Sequence, residues 1–284
     1  MIIIRIIGGL GNQLFQYAAA RCLAELKGTE VKLDVAGFQD YQLRNFDLTA
    51  FNIKATIASE QEIALLKPKG TIERVQSYLT PLRKRRFYKQ PYFHYDPNFH
   101  QLGNNVYLQG FFQSKKYFTP IQSIIRKELK IRNEHIKEVK QFGNTLQTNT
   151  SVALHIRRGD YKNEEALRYH GIVPIEYYQQ AASYFQQKLS NPKFYIFSDD
   201  GNWVKENLQL ANATIVSSIH SKTHFEDLYL MSQCQHNIIA NSSFSWWGAW
   251  LNNNSDKIVI APKQWFNEGP KDTQDLCPTG WVTL

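Results

Sequence analysis

Two adjacent arginines, Arg157 and Arg158, form a concentrated anion site in this sequence. They directly follow an apolar run at residues 152–156, which is typical of a buried strand. A guanidinium keeps its charge and pairs bidentately with phosphate oxygens. Because open α/β sheets bind ligands where their strands end, the arginines predict a site for a phosphate-bearing ligand.

Polar residues follow two further predicted strands, and they could bind the same ligand. A Ser-Ser turn after the strand near 236–240 opens a helix, whose positive N-terminal end suits a phosphate. The residues after these two strands are Ser198, Asp199, Asp200, Asn241, Ser242, Ser243 and Phe244. Plain helix capping is the competing interpretation for Asp199, Asp200, Ser242 and Ser243.

A glycine-rich loop at residues 8–11 links the first predicted strand to a helix. It is not a Walker loop, because no Gly-Lys-Ser/Thr follows it. It also fails the dinucleotide fingerprint, since Leu14 stands where the third glycine belongs. A tight turn remains, in which the amides of Asn12 and Gln13 could approach a pyrophosphate or a sugar; a purely structural turn is the alternative.

The sequence contains none of the patterns expected for a bound metal or for hydrolysis. No Asp-x-Asp occurs, the histidines lack zinc spacing, and no G-x-S-x-G is present. We therefore predict that arginines and helix N–H groups neutralise a diphosphate in place of Mg²⁺, with no cofactor and no metal.

The elements that must position these residues alternate between strand and helix. Residues 2–7 predict a buried strand, a helix runs from Asn12 until Gly28 stops it, and residues 30–34 predict a second strand. From residue 151 onward apolar strands alternate regularly with helices. This pattern predicts an α/β protein with parallel sheets, in which two Rossmann-like domains face each other across a cleft. We place the domains at 1–148 and 149–284.

Two aromatic-rich stretches, at 90–99 and 107–118, interrupt this alternation. Aromatic residues in such numbers usually form core, and we predict that here. In a sugar-binding protein they could instead stack on the apolar face of a pyranose.

The positive charge of the chain is local. The formal net charge is +8, and residues 67–90 hold eight Lys/Arg against Glu73 alone. A solvated surface is the ordinary interpretation. An acidic membrane surface or a lipid-linked anionic acceptor is the alternative, whereas nucleic acid is not predicted because no recognition motif accompanies the charge.

Cysteine usage and the absence of targeting patterns predict a cytoplasmic protein. The three cysteines are widely spaced and form no metal or redox pattern. No signal peptide is recognisable, and no run approaches the roughly 18 apolar residues that span a bilayer. Contact with the inner face of a membrane is compatible with this prediction, and the oligomeric state stays open.

Several longer motifs resemble the α-1,2-fucosyltransferases of glycosyltransferase family 11, in its bacterial, cytosolic form. The resemblance runs from residue 1 to 284. It implies a GT-B-like fold, GDP-fucose as the donor, a terminal galactose as the acceptor, inversion at the anomeric carbon and no required metal. The motifs are GGLGNQLFQYA at 8–18, LQGFFQSKKYF at 108–118, HIRRGDY at 155–161, FSDD at 197–200, FEDLYLMSQC at 225–234 and ANSSFSWWGAWL at 240–251.

The resemblance also implies roles for individual residues in binding the donor. Arg157 and Arg158 would hold the diphosphate and stabilise the leaving group, His155 would lie beside the nucleoside, and Asp227 would read guanine. Asn12 would reach the fucose or the bridging oxygen. The remaining donor contacts are Gly9, Gly11, Ser198, Asp199, Ser242, Ser243 and the Phe244 N–H.

Direct inversion needs a base near the acceptor hydroxyl, and three residues after the arginines are candidates. These are Asp160, Glu165 and His170, which we expect in a loop. Asp160 could instead pair with one of the arginines, and Glu165 has the spacing of a base in α-1,6-fucosyltransferases.

We therefore predict an enzyme that transfers L-fucose from GDP-β-L-fucose to the 2-hydroxyl of a terminal β-galactose. Residues 1–148 would bind the galactose-terminated acceptor, and 149–284 the donor. The alternatives are a related GT-B transferase with another donor or linkage, and a non-catalytic carbohydrate-binding protein that uses residues 90–118.

Overall fold

The computed structural model describes residues 1–38, 44–159 and 164–284. These residues form a mixed α/β fold in two compact units. One unit comprises Met1–Lys130 with Asp272–Pro278, and the other comprises Ile131–Lys271 with Thr279–Leu284. By its contacts the segment from Ile131 belongs with the second unit. That residues 1–148 bind the acceptor and residues 149–284 bind the donor stays a prediction.

The first unit contains a five-stranded sheet in the order β3-β2-β1-β5-β4, and all of its pairs are parallel. Its strands are β1 (Ile2–Arg5), β2 (Val31–Asp34), β3 (Thr56–Ile57), β4 (Phe87–Lys89) and β5 (Val106–Gln109). Its helices are α1 (Leu10–Leu26), α2 (Glu60–Leu66), α3 (Thr71–Leu79) and α4 (Gln122–Glu128).

Helix α1 starts at Leu10, two residues before the predicted start at Asn12. Gly8 has a φ of +78°, which lets the chain reverse sharply after the strand. Gly9 is the N-cap in extended conformation, so Gly11 and Asn12 already lie in the first helical turn. The loop between strand and helix is therefore shorter than the sequence suggested.

The second unit contains a six-stranded, fully parallel sheet in the order β11-β10-β9-β6-β7-β8. Its strands are β6 (Ser151–Ile156), β7 (Lys193–Ser198), β8 (Ala213–Ile215), β9 (His236–Ile238), β10 (Val259–Ala261) and β11 (Val282–Thr283). Its helices are α5 (Lys140–Thr148), α6 (Glu164–His170), α7 (Ile175–Lys188), α8 (Gly201–Asn207), α9 (His224–Gln233) and α10 (Ser243–Leu251).

Strand β6 is buried along its whole length, which explains its continuous apolar sequence. Val152, Leu154 and Ile156 share one face of the strand and pack into the core with α7. His155 alternates with them and points to the opposite face. The arginines that follow are thus positioned by a strand that is buried at every residue.

Aromatic residues that could have bound sugar are mainly core. Phe99, Phe112 and Tyr117 are fully buried and make edge contacts at 4.9–5.2 Å between ring centroids. Trp246 and Trp247 are likewise fully buried. The core interpretation of residues 90–118 is confirmed for these side chains, although Tyr92 and Phe111 stay exposed. In the described ranges no helix is both long and apolar enough to cross a membrane.

Candidate functional site

The carboxyl edge of the six-stranded sheet gathers the polar residues that the sequence singles out. Because every strand pair is parallel, all strands end at this edge. Arg157 and Arg158 follow β6, Asp199 follows β7, and Asn241 and Ser242 follow β9. The structure thus brings together residues that are far apart in the chain.

Asp199 positions both arginines. Its Oδ2 lies 3.2 Å from Nε of Arg157, and its Oδ1 accepts a hydrogen bond of 2.8 Å from the backbone N–H of Arg158. A Cβ at Gly159 would lie only 3.0 Å from the same carboxylate, so glycine permits this close approach. Capping of the next helix falls to Asp200, whose Oδ1 accepts from the Trp203 N–H at 3.1 Å.

Arg158 is oriented by an aromatic ring that the sequence did not single out. Its guanidinium carbon lies 3.9 Å from the ring centroid of Trp203, in the first turn of α8. Its Nε is buried and has no hydrogen-bond partner among the described residues. In this stacking the face of the guanidinium contacts the Trp ring. The N–H groups along the edge of the guanidinium point away from the ring. This orientation suits an anionic ligand.

His155 is buried beside the arginines and stays uncharged. Burial, and secondarily the charge of Arg157, lowers the pKa of His155 from 6.5 to about 3. Its Nδ1 lacks a hydrogen-bond partner in the described part of the chain, and its ring lies 5.8 Å from that of Phe244. A neutral imidazole can both donate and accept a hydrogen bond, which suits a contact with a nucleoside.

We expect His155 to make the protein less stable in acid. The unfolded chain takes up a proton at this side chain near pH 6.5, whereas the folded protein resists protonation until about pH 3. The contribution of neutral His155 to the free energy of unfolding is therefore complete above pH 6.5. As the pH falls below that value, the free energy of unfolding decreases by up to about 1.4 kcal/mol per pH unit. Denaturant unfolding of wild type and His155→Gln between these limits measures it.

The comparison of the two proteins isolates this residue, because other buried histidines are present in both. The difference in unfolding free energy between wild type and His155→Gln should shrink as the pH falls. Parallel pH dependence of wild type and His155→Gln would contradict the assignment.

Asp227 is a partly buried carboxylate held by two serine hydroxyls. Ser217 donates to its Oδ2 at 2.7 Å, and Ser221 donates to its Oδ1. Burial raises the pKa of Asp227, while the two serine hydroxyls act in the opposite direction. Ser217 also accepts from the Ser198 N–H at 3.0 Å, so this group is tied to the end of β7. The sequence predicted Asp227 but neither serine.

The Asn-Ser-Ser turn does not use the Ser242 hydroxyl as an ordinary helix cap. Ser242 is the N-cap of α10, but its side chain makes no capping hydrogen bond. Ser198, by contrast, accepts from the Asp200 N–H at 3.0 Å and closes its own turn. The plain capping interpretation is therefore wrong for Ser242, and its hydroxyl is compatible with binding a phosphate together with Ser243 and the Phe244 N–H.

Asn241 joins this turn to the end of α6. Its side-chain N–H group donates to the carbonyls of His170 and Gly171, each at 3.1 Å. Its Oδ1 is buried and unpartnered within the described residues. The contact brings His170 to the same sheet edge as the arginines.

The expectation that Glu165 and His170 lie in a loop is wrong, because both belong to α6. Acidic residues in its first turn and Arg168 and His170 in its last turn complement the helix dipole. Glu165 is exposed. Burial and the charge of Arg157 lower the pKa of His170. Asp160, the third candidate base, lies outside the described residues.

The first unit presents its own polar groups at the carboxyl edge of its sheet. Asn12 Oδ1 accepts a 2.6 Å hydrogen bond from Gln113, whose Oε1 is buried with no partner in the described chain. Gln13 is committed to structure, because it donates to the Gly8 carbonyl and accepts from the Asp47 N–H. Of the two predicted amides, Asn12 is therefore the one suited to a ligand.

Another arginine, Arg44, lies near the glycine turn. A Cβ at Gly9 would lie 3.6 Å from Nε of Arg44. The absence of a side chain at Gly9 thus keeps the space between the guanidinium and the start of α1 open. Arg44 could not be predicted from the sequence, because it is distant from residues 8–11 along the chain.

A histidine–aspartate pair follows β4 at the same edge of the first sheet. Nδ1 of His94 lies 2.7 Å from Oδ2 of Asp272, and that oxygen also accepts the backbone N–H groups of Phe93 and His94. Partial burial alone would raise the pKa of Asp272, but these hydrogen bonds lower it. The ring of Tyr92 stacks on His94 at 4.8 Å. No motif in the sequence marks this pair, because His94 and Asp272 are far apart along the chain.

Four buried polar side-chain atoms lack hydrogen-bond partners in the described parts of the chain, and all lie at these two edges. An unpaired buried polar group costs about 1–3 kcal/mol, so a bound ligand that supplied partners would remove that cost. The four atoms are Gln113 Oε1, His155 Nδ1, Arg158 Nε and Asn241 Oδ1.

Comparison with known proteins places this geometry in a family. Residues 1–284 match the family model described as glycosyl transferase family 11. An alpha-1,2-colitosyltransferase of Escherichia coli is 33% identical, with 100% of this chain and 99% of that protein covered. An O-antigen biosynthesis glycosyltransferase of the same organism is 34% identical, with 98% of each chain covered.

More distant relatives include eukaryotic enzymes. The human galactoside alpha-(1,2)-fucosyltransferase 1 is 28% identical over 86% of this chain and 63% of its own length. Among solved structures, the fucosyltransferase NodZ from Bradyrhizobium has a TM-score of 0.52 at 16% identity, covering 88% of this chain and 93% of NodZ. That similarity confirms the predicted GT-B-like fold with two parallel sheets. Within residues 1–38, 44–159 and 164–284, no group of three or more His, Cys, Asp or Glu side chains could hold a metal.

Proposed function

The chain belongs to glycosyl transferase family 11, and from this premise we propose that it transfers L-fucose from GDP-β-L-fucose to the 2-hydroxyl of a terminal β-galactose. The anomeric configuration inverts in the reaction. One observation carries the donor part of the proposal: Asp199 holds Arg157 and the backbone of Arg158 at a strand end. Paired guanidiniums at this position match the charge of a nucleoside diphosphate.

Arg157 and Arg158 stabilise the charge that develops on the leaving diphosphate as the glycosidic bond breaks. Preorganised charges of this kind supply a large share of transition-state stabilisation, because they need no reorganisation during the reaction. Ser242, Ser243 and the Phe244 N–H bind the same phosphates at the start of α10. No divalent cation takes part, so EDTA should leave turnover unchanged.

Recognition of the nucleoside falls to Asp227 and His155. A carboxylate accepts the two neighbouring N–H donors of guanine, and Ser217 and Ser221 fix its orientation from behind. His155, held neutral by burial, lies beside the nucleoside. Gly9, Gly11 and Asn12 are further donor contacts in this proposal, and Asn12 would reach the sugar or the bridging oxygen.

The base that removes the acceptor proton has four candidates. Asp160, Glu165 and His170 follow the arginines in the sequence, and the geometry adds His94. Asp272 occupies Nδ1 of His94 and thereby leaves Nε2 to accept a proton. Glu165 is exposed, and burial together with Arg157 weakens His170 as a base. We therefore assign the role to His94.

Colitose is the alternative sugar, because one relative is named for colitosyl transfer. Colitose is fucose without the hydroxyl at C3, so the two donors differ by a single polar group. Parallel turnover assays with GDP-fucose and GDP-colitose decide between them.

The name of the second relative supports an O-antigen oligosaccharide as the acceptor class. The proposed location of the protein is the cytoplasm.

Calorimetric titration with nucleotides tests the donor assignment. We expect the wild type to bind GDP and to discriminate against UDP, whereas Asp227→Asn should bind GDP roughly ten-fold or more weakly. Hydrogen bonds to a charged group contribute about 1.5–3 kcal/mol, which is the basis of that figure. The exposed Asp256 offers a matched control, since Asp256→Asn should leave GDP binding unchanged.

Analysis of the product tests the reaction itself. Incubation with GDP-fucose and a β-galactoside should give a product whose new linkage is α-1,2 by NMR. Galactoside binding without any GDP binding would instead favour a carbohydrate-binding protein. Transfer to another hydroxyl would retain the enzyme but overturn the linkage.

A further inference from the structure

Helix α3 exposes its apolar side. Ile72 and Leu79 are 76% and 80% exposed, and Val75 and Tyr78 are 54% and 53% exposed. At about 100° per residue these four side chains fall within an arc of roughly 120°. An amphipathic helix on a globular protein normally buries such a stripe, but no residue of α3 is buried.

The helix is attached to the first unit through its polar side. Ser77, which lies nearly opposite the apolar stripe on the helix, donates a 2.9 Å hydrogen bond to the Phe87 carbonyl in β4. Arg85 secures the end of the helix by donating to the carbonyls of Tyr78 and Thr80 at 2.8 and 3.1 Å. These contacts hold the stripe toward the outside.

Positive charge surrounds this apolar stripe. Residues 67–90 contain eight Lys/Arg and one acidic residue, Glu73. Glu73 is engaged at the helix start, where it accepts from the Lys69 N–H at 2.6 Å. The exposed basic side chains near α3 are Lys69, Arg74, Arg83, Lys84, Arg86 and Lys89.

We infer that α3 and its basic neighbours bind the surface of a bilayer that contains anionic lipids. The apolar stripe would enter the boundary between headgroups and acyl chains, while the basic side chains contact the headgroups. Each basic residue near an anionic surface contributes about 1 kcal/mol, so the two signals together give stable association. This role goes beyond the proposed function and uses none of the residues assigned to it.

An anionic bilayer fits these features better than other occupants. A second copy of the chain would bring two strongly positive surfaces together, and they would repel each other. A nucleic acid would match the charge, but it would leave four exposed apolar side chains without a role. Only a lipid surface uses both the charge and the apolar stripe.

Flotation with lipid vesicles tests this inference. The full chain should float with vesicles that contain phosphatidylglycerol and remain unbound with pure phosphatidylcholine, and high salt should weaken the binding. The double variant Ile72→Asp, Leu79→Asp should lose at least roughly ten-fold in vesicle affinity, because each charge opposes insertion of the stripe. Ile219→Asp, at a comparably exposed isoleucine of the second unit, is the matched control.

A separate triple variant tests the contribution of the basic residues to vesicle binding. Arg83→Glu, Lys84→Glu and Arg86→Glu together should reduce binding to a similar degree, whereas Lys137→Glu should not. Thermal unfolding followed by circular dichroism checks that each variant folds. Equal binding to both vesicle types, unchanged binding by both variants, or self-association that accounts for the exposed stripe would each overturn the inference.

Discussion

Replacing Arg158 by alanine should lower kcat/KM for sugar transfer on the order of 10²–10³-fold without disturbing the fold. The guanidinium lies at the end of β6 and stacks on Trp203 at 3.9 Å, so its loss removes a preorganised charge from the departing diphosphate. Lysine should not restore activity, because a flexible ammonium neither stacks on the ring nor presents a planar fork. Steady-state kinetics with GDP-fucose measure the effect.

Three measurements separate this role from a structural one. Arg158→Ala should unfold at nearly the wild-type temperature, because the side chain is only half-buried. Arg132→Ala removes an exposed guanidinium from the same unit and should leave kcat/KM unchanged. A fall in kcat that exceeds the fall in GDP affinity would locate the contribution in the transition state. Turnover at the wild-type rate in Arg158→Ala would remove the proposed role.

The sequence predicted the second sheet well because its central strands β6, β7, β9 and β10 are almost entirely buried. Strands such as β6 then read as continuous apolar runs, and polar residues after them mark the sheet edge. Arg157, Arg158, Asp199 and Ser242 could all be placed at that edge from spacing alone. Their places follow from local sequence and from the rule that parallel strands end together.

The first sheet was harder to predict, because two of its strands carry aromatic side chains. Strands β4 and β5 contain Phe87, Tyr88 and Tyr107, which neither alternate clearly nor form an aliphatic run. Aromatic residues are buried in helices, strands and loops alike, so their presence here did not identify the two strands. Helix α3 was missed for a related reason, since a basic segment read as solvated surface.

Contacts between distant segments could not be predicted from spacing. Trp203 under Arg158, the serines around Asp227, and Asp272 beside His94 all join residues from different elements. Nothing in the local sequence distinguishes these side chains from others of their type. The difference between Asp199 and Asp200 is similar: adjacent aspartates are equivalent as a pattern, but one holds arginines and the other caps α8.

The site combines groups that are charged with groups that are kept neutral. Asp199 pairs with Arg157 and so fixes its guanidinium in place, whereas burial keeps His155 uncharged next to it. A positive charge on His155 would repel the charges of the two arginines. This repulsion is weak in water but strong in a buried site. Neutrality at this residue therefore leaves the two arginines as the source of the positive charge that we propose binds the diphosphate.

Replacing His94 by asparagine should lower kcat on the order of 10²–10⁴-fold, the range typical for loss of a general base. Asp272 holds Nδ1 of His94 at 2.7 Å, and this hydrogen bond fixes the tautomer in which Nε2 can accept a proton. The acid limb of the pH–rate profile, which a titrating base produces, should disappear in His94→Asn. Asp272→Asn should retain part of the activity, because it disturbs the orientation of the base without removing it.

The donor site provides the control for this assignment. GDP binding measured by calorimetry should be the same in wild type and His94→Asn, since His94 has no part in holding the nucleotide. His220→Asn, at an exposed histidine of the second unit, should leave kcat unchanged. An unaltered pH–rate profile in His94→Asn would exclude His94 as the base and return the role to Asp160, Glu165 or His170. Single variants at those three residues would then identify the base by which of them removes the acid limb.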